Sequence, residues 1–232
     1  MSNKKSDSDE SAATTGTVTT FGTGTARATP DLMRVTISIE TRASKVALAY
    51  GQAGERVAAV TNSLRSDGVS GADIATSGLS VRTETVWIEG GGSKITGYLA
   101  TTDLTVVLRD IGESADPGPA TIIANCVEAG GDDVRLGGLN LTFADQERLL
   151  TQARDAAWDN ALAKAEQYAG RAARTLGPVL EITENTTSAP PAYPRVKMMS
   201  APMDTAYGAA PVPVELGESE ITATIRATWQ LG

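Results

Sequence analysis

The closing segment of the chain constrains the fold more than any other part of the sequence. From Ile221 to Leu231, apolar and polar residues alternate without interruption. The apolar members are Ile221, Ala223, Ile225, Ala227, Trp229 and Leu231. A period of two is typical of a strand with one buried face and one face in water. At ~3.3 Å per residue, this strand would extend about 40 Å, roughly twice the usual length. The sequence therefore predicts a long strand in a sheet covered on one side.

Shorter periodic segments precede this strand and predict the order ββαββαβαβ, a long loop, and the closing β-strand. The predicted strands are Thr17–Ala28, Met33–Glu40, Leu79–Ile88, Lys94–Arg109, Val134–Phe143, Val179–Glu184 and Glu220–Leu231. Gly90-Gly91-Gly92 would form a hairpin tip, and Gly137-Gly138 a β-bulge. This alternation favours the α+β class, with long antiparallel strands packed against one long alanine-rich helix and two shorter helices.

Three helices are predicted from apolar residues spaced three and four apart. The first would begin after an N-cap at Ser44 and end at Gly68, and the second would run from Asp116-Pro117 to Gly130-Gly131. The long third helix would be capped by Asp145 and end near Leu176 before Gly177-Pro178. The predicted core stripe of the first helix is Val46, Tyr50, Ala53, Val57, Val60 and Leu64. That of the third is Leu150, Ala153, Ala157, Ala161, Ala165, Tyr168, Ala172 and Leu176.

Composition excludes several functional classes. The chain has 28 acidic and 20 basic residues, a net charge of −8 and no cluster of Lys and Arg, so a nucleic-acid partner is not expected. It contains no histidine, which excludes Ser-His-Asp and Cys-His catalysis and histidine-ligated zinc. The residue types present still allow catalysis by carboxylates, lysine or tyrosine, but no two acidic residues have a spacing that indicates a catalytic pair. Cys126 reads as a buried apolar residue. We expect no cofactor, no metal and no enzyme.

Residues 17–232 are predicted to form one large domain or two lobes, with a tail before them and an irregular loop within them. Residues 1–16 are polar and charged and predict a disordered tail or tether. No apolar run reaches the ~18 residues of a membrane span. Residues 185–213 are rich in proline and methionine and predict an irregular loop, either a mobile insertion or a strap that docks on a neighbour. The predicted interaction residues are Tyr193, Met198, Met199, Met203, Tyr207 and, beside the glycine tip, Trp87.

Two other motifs have structural explanations that are stronger than the functional ones. Gly22-Thr23-Gly24-Thr25 lacks the Lys-Ser/Thr and the following helix of a phosphate-binding loop, so a strand containing a bulge is favoured. Asp132-Asp133 with Glu128 lacks the spacing of a calcium loop, which favours a solvated turn.

These landmarks together resemble the SIMPL-domain family of bacterial envelope proteins, a domain of unknown function, from about Val18 to Leu231. The resemblance is carried by Gly22-Thr23-Gly24, Pro30-Asp31, the segment from Asp73 to Val81, the segment from Ile95 to Ala100, Leu176-Gly177-Pro178-Val179, the Pro/Met-rich loop and the closing strand. It implies an α+β fold, a protein that is exported or attached to the membrane, and a tendency to assemble. It supplies no catalytic motif.

The combined expectation is a non-enzymatic exported protein that assembles or binds at the cell envelope as a homo-oligomer or with a protein or peptide partner. The location would be periplasmic, envelope-bound or secreted, with membrane attachment only through a lipid anchor preceding Met1. The alternative is a soluble envelope receptor for a small ligand or peptide, with a pocket between the sheet and the long helix. A histidine-independent enzyme is less favoured.

Overall fold

The computed structural model of the protein describes residues 16–184 and 212–232. These residues form three helices and seven strands in two antiparallel sheets, which confirms the α+β class and the predicted order of elements. The strands are β1 (Gly16–Ala28), β2 (Leu32–Ala43), β3 (Ile74–Ile88), β4 (Gly92–Arg109), β5 (Val134–Thr142), β6 (Leu176–Glu184) and β7 (Ser219–Leu231). The helices are α1 (Val46–Ser66), α2 (Pro119–Gly130) and α3 (Gln146–Arg171).

The described chain divides into two compact units. The first, built from residues 16–27, 145–184 and 220–232, contains a three-stranded sheet in the order β1-β7-β6 and helix α3. The central strand is β7, and its alternation places Ala223, Ile225, Ala227 and Trp229 in the core, as predicted. The rings of Trp229 and Trp158 lie 5.9 Å apart.

The second unit, residues 28–144 and 212–219, contains a four-stranded sheet in the order β3-β4-β2-β5, with α1 and α2 on one face. Every second residue of β2 from Met33 to Ile39 is buried against Val60 and Leu64 of α1 and Ile122 and Cys126 of α2. The expected core position of Cys126 is confirmed. The predicted bulge is also present, because Gly137 and Gly138 together lie opposite Thr36 in the β2–β5 register.

Several predicted helix ends are wrong. Helix α1 begins after Lys45 rather than Ser44, and its N-cap makes no side-chain hydrogen bond. Helix α2 begins at Pro119, after Gly118, rather than at Asp116-Pro117. The predicted stop of α1 at Gly68 holds, because Gly68 has φ 86° and the Val69 N–H donates back to the Leu64 carbonyl.

Helix α3 is capped by Asp145 as predicted, since its side chain accepts a hydrogen bond from the Arg148 N–H. The helix ends at Arg171 instead of Leu176, because Ala173 takes the left-handed conformation with φ 53°. The earlier end allows Leu176 to start β6, opposite Leu231 of β7. The middle of the predicted stripe is confirmed, since its alanines from Ala153 to Ala165 are buried. At the two ends the prediction is wrong: Leu149 and Ala169 are in the core, and Tyr168 is 56% exposed.

Candidate functional site

The contact between α3 and its own sheet is too close to hold a ligand. The alanines of α3 that face the sheet, Ala153, Ala157, Ala161 and Ala165, are fully buried. A Cβ added at Gly22 would lie 1.9 Å from the Ala157 carbonyl oxygen, and one at Gly24 would lie 2.2 Å from the Ala153 carbonyl oxygen. The glycines therefore permit backbone-to-backbone contact with the helix, which explains the Gly-Thr-Gly motif without a phosphate. The pocket that the receptor alternative expects at this place is filled.

The outer face of the same sheet carries one shallow cleft of about 210 Å³, lined by side chains of β1, β6 and β7. Phe21, 61% exposed, forms one wall, and Arg226 and Glu184 lie in the same lining. Binding pockets for small molecules usually enclose ~300–1,000 Å³. The cleft is smaller than this range and open, so it does not replace the missing pocket.

A two-stranded ribbon extends from the second unit. The last residue of β2 to pair with β4 is Ala43, which lies opposite Tyr98. Beyond this pair, β3 and β4 continue to pair with each other as far as Ile88 opposite Gly92. We call this segment, residues 84–97, the arm. Its turn contains Gly90 with φ 81° and is followed by Gly92 with φ 87°, so the predicted glycine hairpin tip is confirmed.

Both faces of the arm carry exposed apolar side chains. The register places Trp87 and Ile95 on one face and Val86 and Ile88 on the other. Trp87 is 76% exposed, and the other three are 46–53% exposed. Together they leave roughly 400–450 Å² of apolar surface in water, divided between the two faces of the arm. A hairpin of two strands is only marginally stable alone in water, so this ribbon gains from being covered.

A second exposed apolar surface lies on the first turns of α1. The stripe predicted for α1 placed Val46 and Tyr50 in the core, and this prediction is wrong, since they are 48% and 54% exposed. Ala49 is buried in their place, beside the correctly predicted Ala53, because small side chains let the helix approach Ala100 of the sheet. Leu48 is also 51% exposed, but it is two residues from each of them and so lies on a different side of the helix. We call Val46 and Tyr50 the α1 patch.

Charged side chains flank both apolar surfaces. The arm contains Glu84, Lys94 and, in its turn, Glu89. Lys45 precedes α1, whose first turn has no acidic residue and no side-chain cap. The N–H groups at a helix start carry partial positive charge, which adds to that of Lys45. At its base, the arm is held by Arg42, whose Nε lies 2.9 Å from Oε1 of Glu84.

The ionisable groups with shifted pKa values are structural. Burial, with the nearby Asp67 as a second cause, raises the pKa of the Cys126 thiol to about 12, so a reactive thiolate is not formed near neutral pH. The hydrogen bonds from Arg109 lower the pKa of Asp73, which lies against it at 2.8 Å. Asp133, from the predicted solvated turn, pairs with Arg56 at 2.8 Å. No group of three or more metal-ligating side chains occurs within residues 16–184 and 212–232.

Among the predicted interaction residues, only Trp87 lies in the described part of the chain, and it is exposed as the analysis of the glycine tip expected. The others, Tyr193, Met198, Met199, Met203 and Tyr207, lie outside the described residues. Sequence reasoning missed Val86, Ile88 and Ile95, although four large apolar residues within ten positions of a glycine tip are a visible signal. It also missed the α1 patch.

The fold thus defines an α+β protein with two sheets and an exposed apolar arm, and comparison with known sequences identifies its family. The sequence profile of SIMPL, described as a protein of unknown function (DUF541), matches residues 18–229. The chain belongs to the SIMPL family, which confirms the resemblance drawn from its landmarks.

Three relatives illustrate how far the similarity extends. The uncharacterized protein YggE of Escherichia coli K12 is 29% identical over 184 residues, covering 79% of this chain and 71% of the relative. YggE of Edwardsiella ictaluri is 28% identical over 184 residues, covering 79% of this chain and 74% of the relative. The 26 kDa periplasmic immunogenic protein of Brucella melitensis is 27% identical over 217 residues, covering 90% of this chain and 82% of the relative. None of these names states an enzymatic activity.

Proposed function

We propose that the protein is a non-enzymatic exported module of the bacterial cell envelope that binds or assembles with other proteins through the arm. The observation that carries the proposal is the exposure of Trp87, at 76%, in a ribbon that is apolar on both faces. Covering one large apolar side chain contributes roughly 1.5–3 kcal/mol, so a chain that leaves four of them in water at one place has a strong reason to bind there.

An envelope location is supported by family membership and by the Brucella relative, whose name places that protein in the periplasm. No helix in residues 16–184 or 212–232 combines the length and the apolar character that a membrane crossing needs. Membrane attachment, where it occurs, would come from a lipid anchor that precedes the domain. Fractionation of cells that express the whole gene tests this part of the proposal: the protein should be released with the periplasmic or outer-envelope fraction. Recovery in the cytoplasmic fraction would contradict it.

The binding role can be tested with a photo-crosslinking residue placed at position 87 and, as a matched control, at position 21. Phe21 is an aromatic residue with 61% exposure in the other unit, so both probes contact water and neither replaces a core side chain. We expect a crosslinked product in the envelope fraction from position 87 at a yield well above that from position 21. Equal yields at the two positions would remove the support for the arm as a binding surface.

A receptor for a small ligand has no comparable support, because the space between α3 and its sheet is filled by alanine side chains and glycine backbone. For the enzyme alternative, residues 16–184 and 212–232 bring together no three His, Cys, Asp or Glu side chains that could hold a catalytic metal ion.

A further inference from the structure

We propose that helix α3 closes the edge of β1 to strand addition, with the side chains of Asn160 and Lys164 in the hydrogen-bonding positions of a neighbouring strand. Among the described strands, β1 lies at an edge, because the order of its sheet is β1-β7-β6. Its thirteen residues carry a row of backbone N–H and C=O groups on the side away from β7. Such a row is a template on which a strand of another polypeptide can pair. The inference concerns the first unit and is independent of the arm.

Two backbone groups at the middle of this edge are bound by side chains of α3. The Thr23 N–H donates to Oδ1 of Asn160 at 3.2 Å, and Nζ of Lys164 donates to the Phe21 carbonyl oxygen at 2.7 Å. Residues two apart in a strand turn their N–H and C=O groups to the same side. Because α3 rather than β7 binds both groups, they belong to the edge of β1 that faces away from β7.

The two side chains together reproduce one residue of a parallel strand. In a parallel pair, a single residue donates its N–H to one carbonyl of the neighbouring strand and accepts from the N–H two residues further on. Opposite Gly22, the Lys164 ammonium takes the place of that N–H, and the Asn160 amide oxygen takes the place of that C=O. Asn160 and Lys164 lie four residues apart on one flank of the helix, so they can act as a pair. A strand that approaches β1 here meets a donor and an acceptor that are already bound.

Helix α3 reaches this edge because β1 lets it come close. Gly22 and Gly24 bring the strand against the backbone of the helix, and Thr20 Oγ1 donates to the Ala161 carbonyl oxygen at 2.8 Å. The bond from the Lys164 ammonium is charge-assisted, and lysine is a side chain that proteins often use to protect sheet edges. The close contact and the closed edge therefore depend on the same short segment of β1.

The opposite edge of the same sheet is interrupted by different means. Strand β6 contains Pro178, which has no N–H to donate, and its register with β7 shifts on both sides of Val179. Proline and bulges are devices that hinder strand addition at an edge. Interruption of both edges by unrelated features favours protection over a contact that only holds α3 in place. Protection has a physical reason, because β1 is long, rich in threonine and carries Phe21 at 61% exposure.

The test measures binding of an added strand to the full chain by fluorescence anisotropy. The probe is a labelled synthetic peptide with the sequence of residues 17–28, and a control peptide carries N-methyl groups at residues 20–25, so its centre cannot donate to a strand ladder. The parent protein sets the background. Asn160→Ala combined with Lys164→Met should bind the unmodified peptide at least about 10-fold more tightly than the parent, because the Phe21 C=O and the Thr23 N–H become available. A photo-reactive group on the bound peptide should crosslink to residues 19–25.

Matched variants separate the edge contacts from general changes to the helix. Gln167→Ala combined with Arg171→Met removes one amide and one positive charge from exposed positions of α3, and it should bind the peptide like the parent. Asn160→Asp combined with Lys164→Arg keeps an acceptor and a donor at the edge, and it should also stay closed. Urea unfolding shows whether each variant is folded under the binding conditions. If the double alanine and methionine variant is unfolded there, the single variants Asn160→Ala and Lys164→Met take its place in the same measurement.

The outcomes distinguish edge protection from a role in packing alone. If the two side chains only hold α3 in place, the variant should lose stability while its affinity for the peptide stays at the background, and this result would overturn the inference. Equal binding of the N-methylated peptide would indicate adsorption on apolar surface and would overturn it as well. Tighter binding of the unmodified peptide alone, crosslinked to β1, is the expected result. None of these outcomes depends on crosslinking at position 87, so the proposed function is tested separately.

Discussion

Replacing Gly22 by alanine should separate α3 from its sheet and destabilise the first unit. The new methyl carbon would lie 1.9 Å from the Ala157 carbonyl oxygen and 2.8 Å from the Ala161 Cβ, and real Cβ contacts essentially never fall below 3.0 Å. The obstacle at 1.9 Å is backbone, so no side-chain rotation relieves it. The strand and the helix must move apart by more than about 1 Å, and a gap of ~0.5–1 Å already forfeits a quarter to a half of each dispersion contact.

The expected loss of stability can be worked out from the contacts that this movement disturbs. Inserting a methyl group into a packed core usually costs about 1–3 kcal/mol. Here the shift also stretches the hydrogen bond from Thr20 Oγ1 to the Ala161 carbonyl, 2.8 Å, and that from Lys164 Nζ to the Phe21 carbonyl, 2.7 Å. We therefore expect a loss of about 3 kcal/mol or more in the free energy of unfolding. For a chain of this length, that lowers Tm by about 6–12 °C.

Gly170→Ala is the matched control, because Gly170 lies on the exposed side of the same helix and a Cβ there meets nothing within 4 Å. Alanine in place of a helical glycine should raise stability by about 0.5–1 kcal/mol. Urea unfolding is best followed by tryptophan fluorescence in a Trp87→Phe background, where the remaining tryptophans, Trp158 and Trp229, both lie in the affected unit. A Gly22→Ala protein within 0.5 kcal/mol of its parent would refute the close-packing explanation of the glycine motif.

Three further predictions test other parts of the fold. Cys126 should not react with a thiol reagent at pH 8 in the folded protein and should react fully in urea, since a pKa of about 12 leaves a thiolate fraction of about 10⁻⁴. Asp145→Ala should cost about 1 kcal/mol in urea unfolding because the Arg148 N–H, 2.9 Å away, loses its acceptor. Asp73 has a lowered pKa beside Arg109, so its stabilisation is present above the unfolded pKa of ~3.9 and is lost as the pH falls through the folded value. Asp73→Asn should therefore be less stable than the parent at pH 7, and pH-dependent unfolding should show this difference shrinking as the pH falls below the unfolded value.

The strands were predictable because alternating apolar and polar residues indicate a strand that has one face buried and one face in water. The alternation in β7 identified the buried residues Ala223, Ile225, Ala227 and Trp229. The helix ends were less predictable. Ala173 takes φ 53° to end α3 early, although alanine carries no local signal for that conformation. The reason is tertiary, since the chain must turn there for Leu176 to pair with Leu231.

The buried faces of the helices show why the candidate site was only partly visible in the sequence. At the start of α1, spacings of three and four connect Ala53 either with Val46 and Tyr50 or with Ala49. Hydrophobicity favours the larger residues, but the close contact of α1 with Ala100 selects the smaller ones.

The same choice is made on α3, where Ala169 is buried and Tyr168 is 56% exposed. Alanine is thus used where a helix must approach its sheet closely, and the larger apolar side chains beside it are left outside. The larger side chains therefore stay in water although hydrophobicity alone assigns them to the core, as Val46 and Tyr50 do at the start of α1.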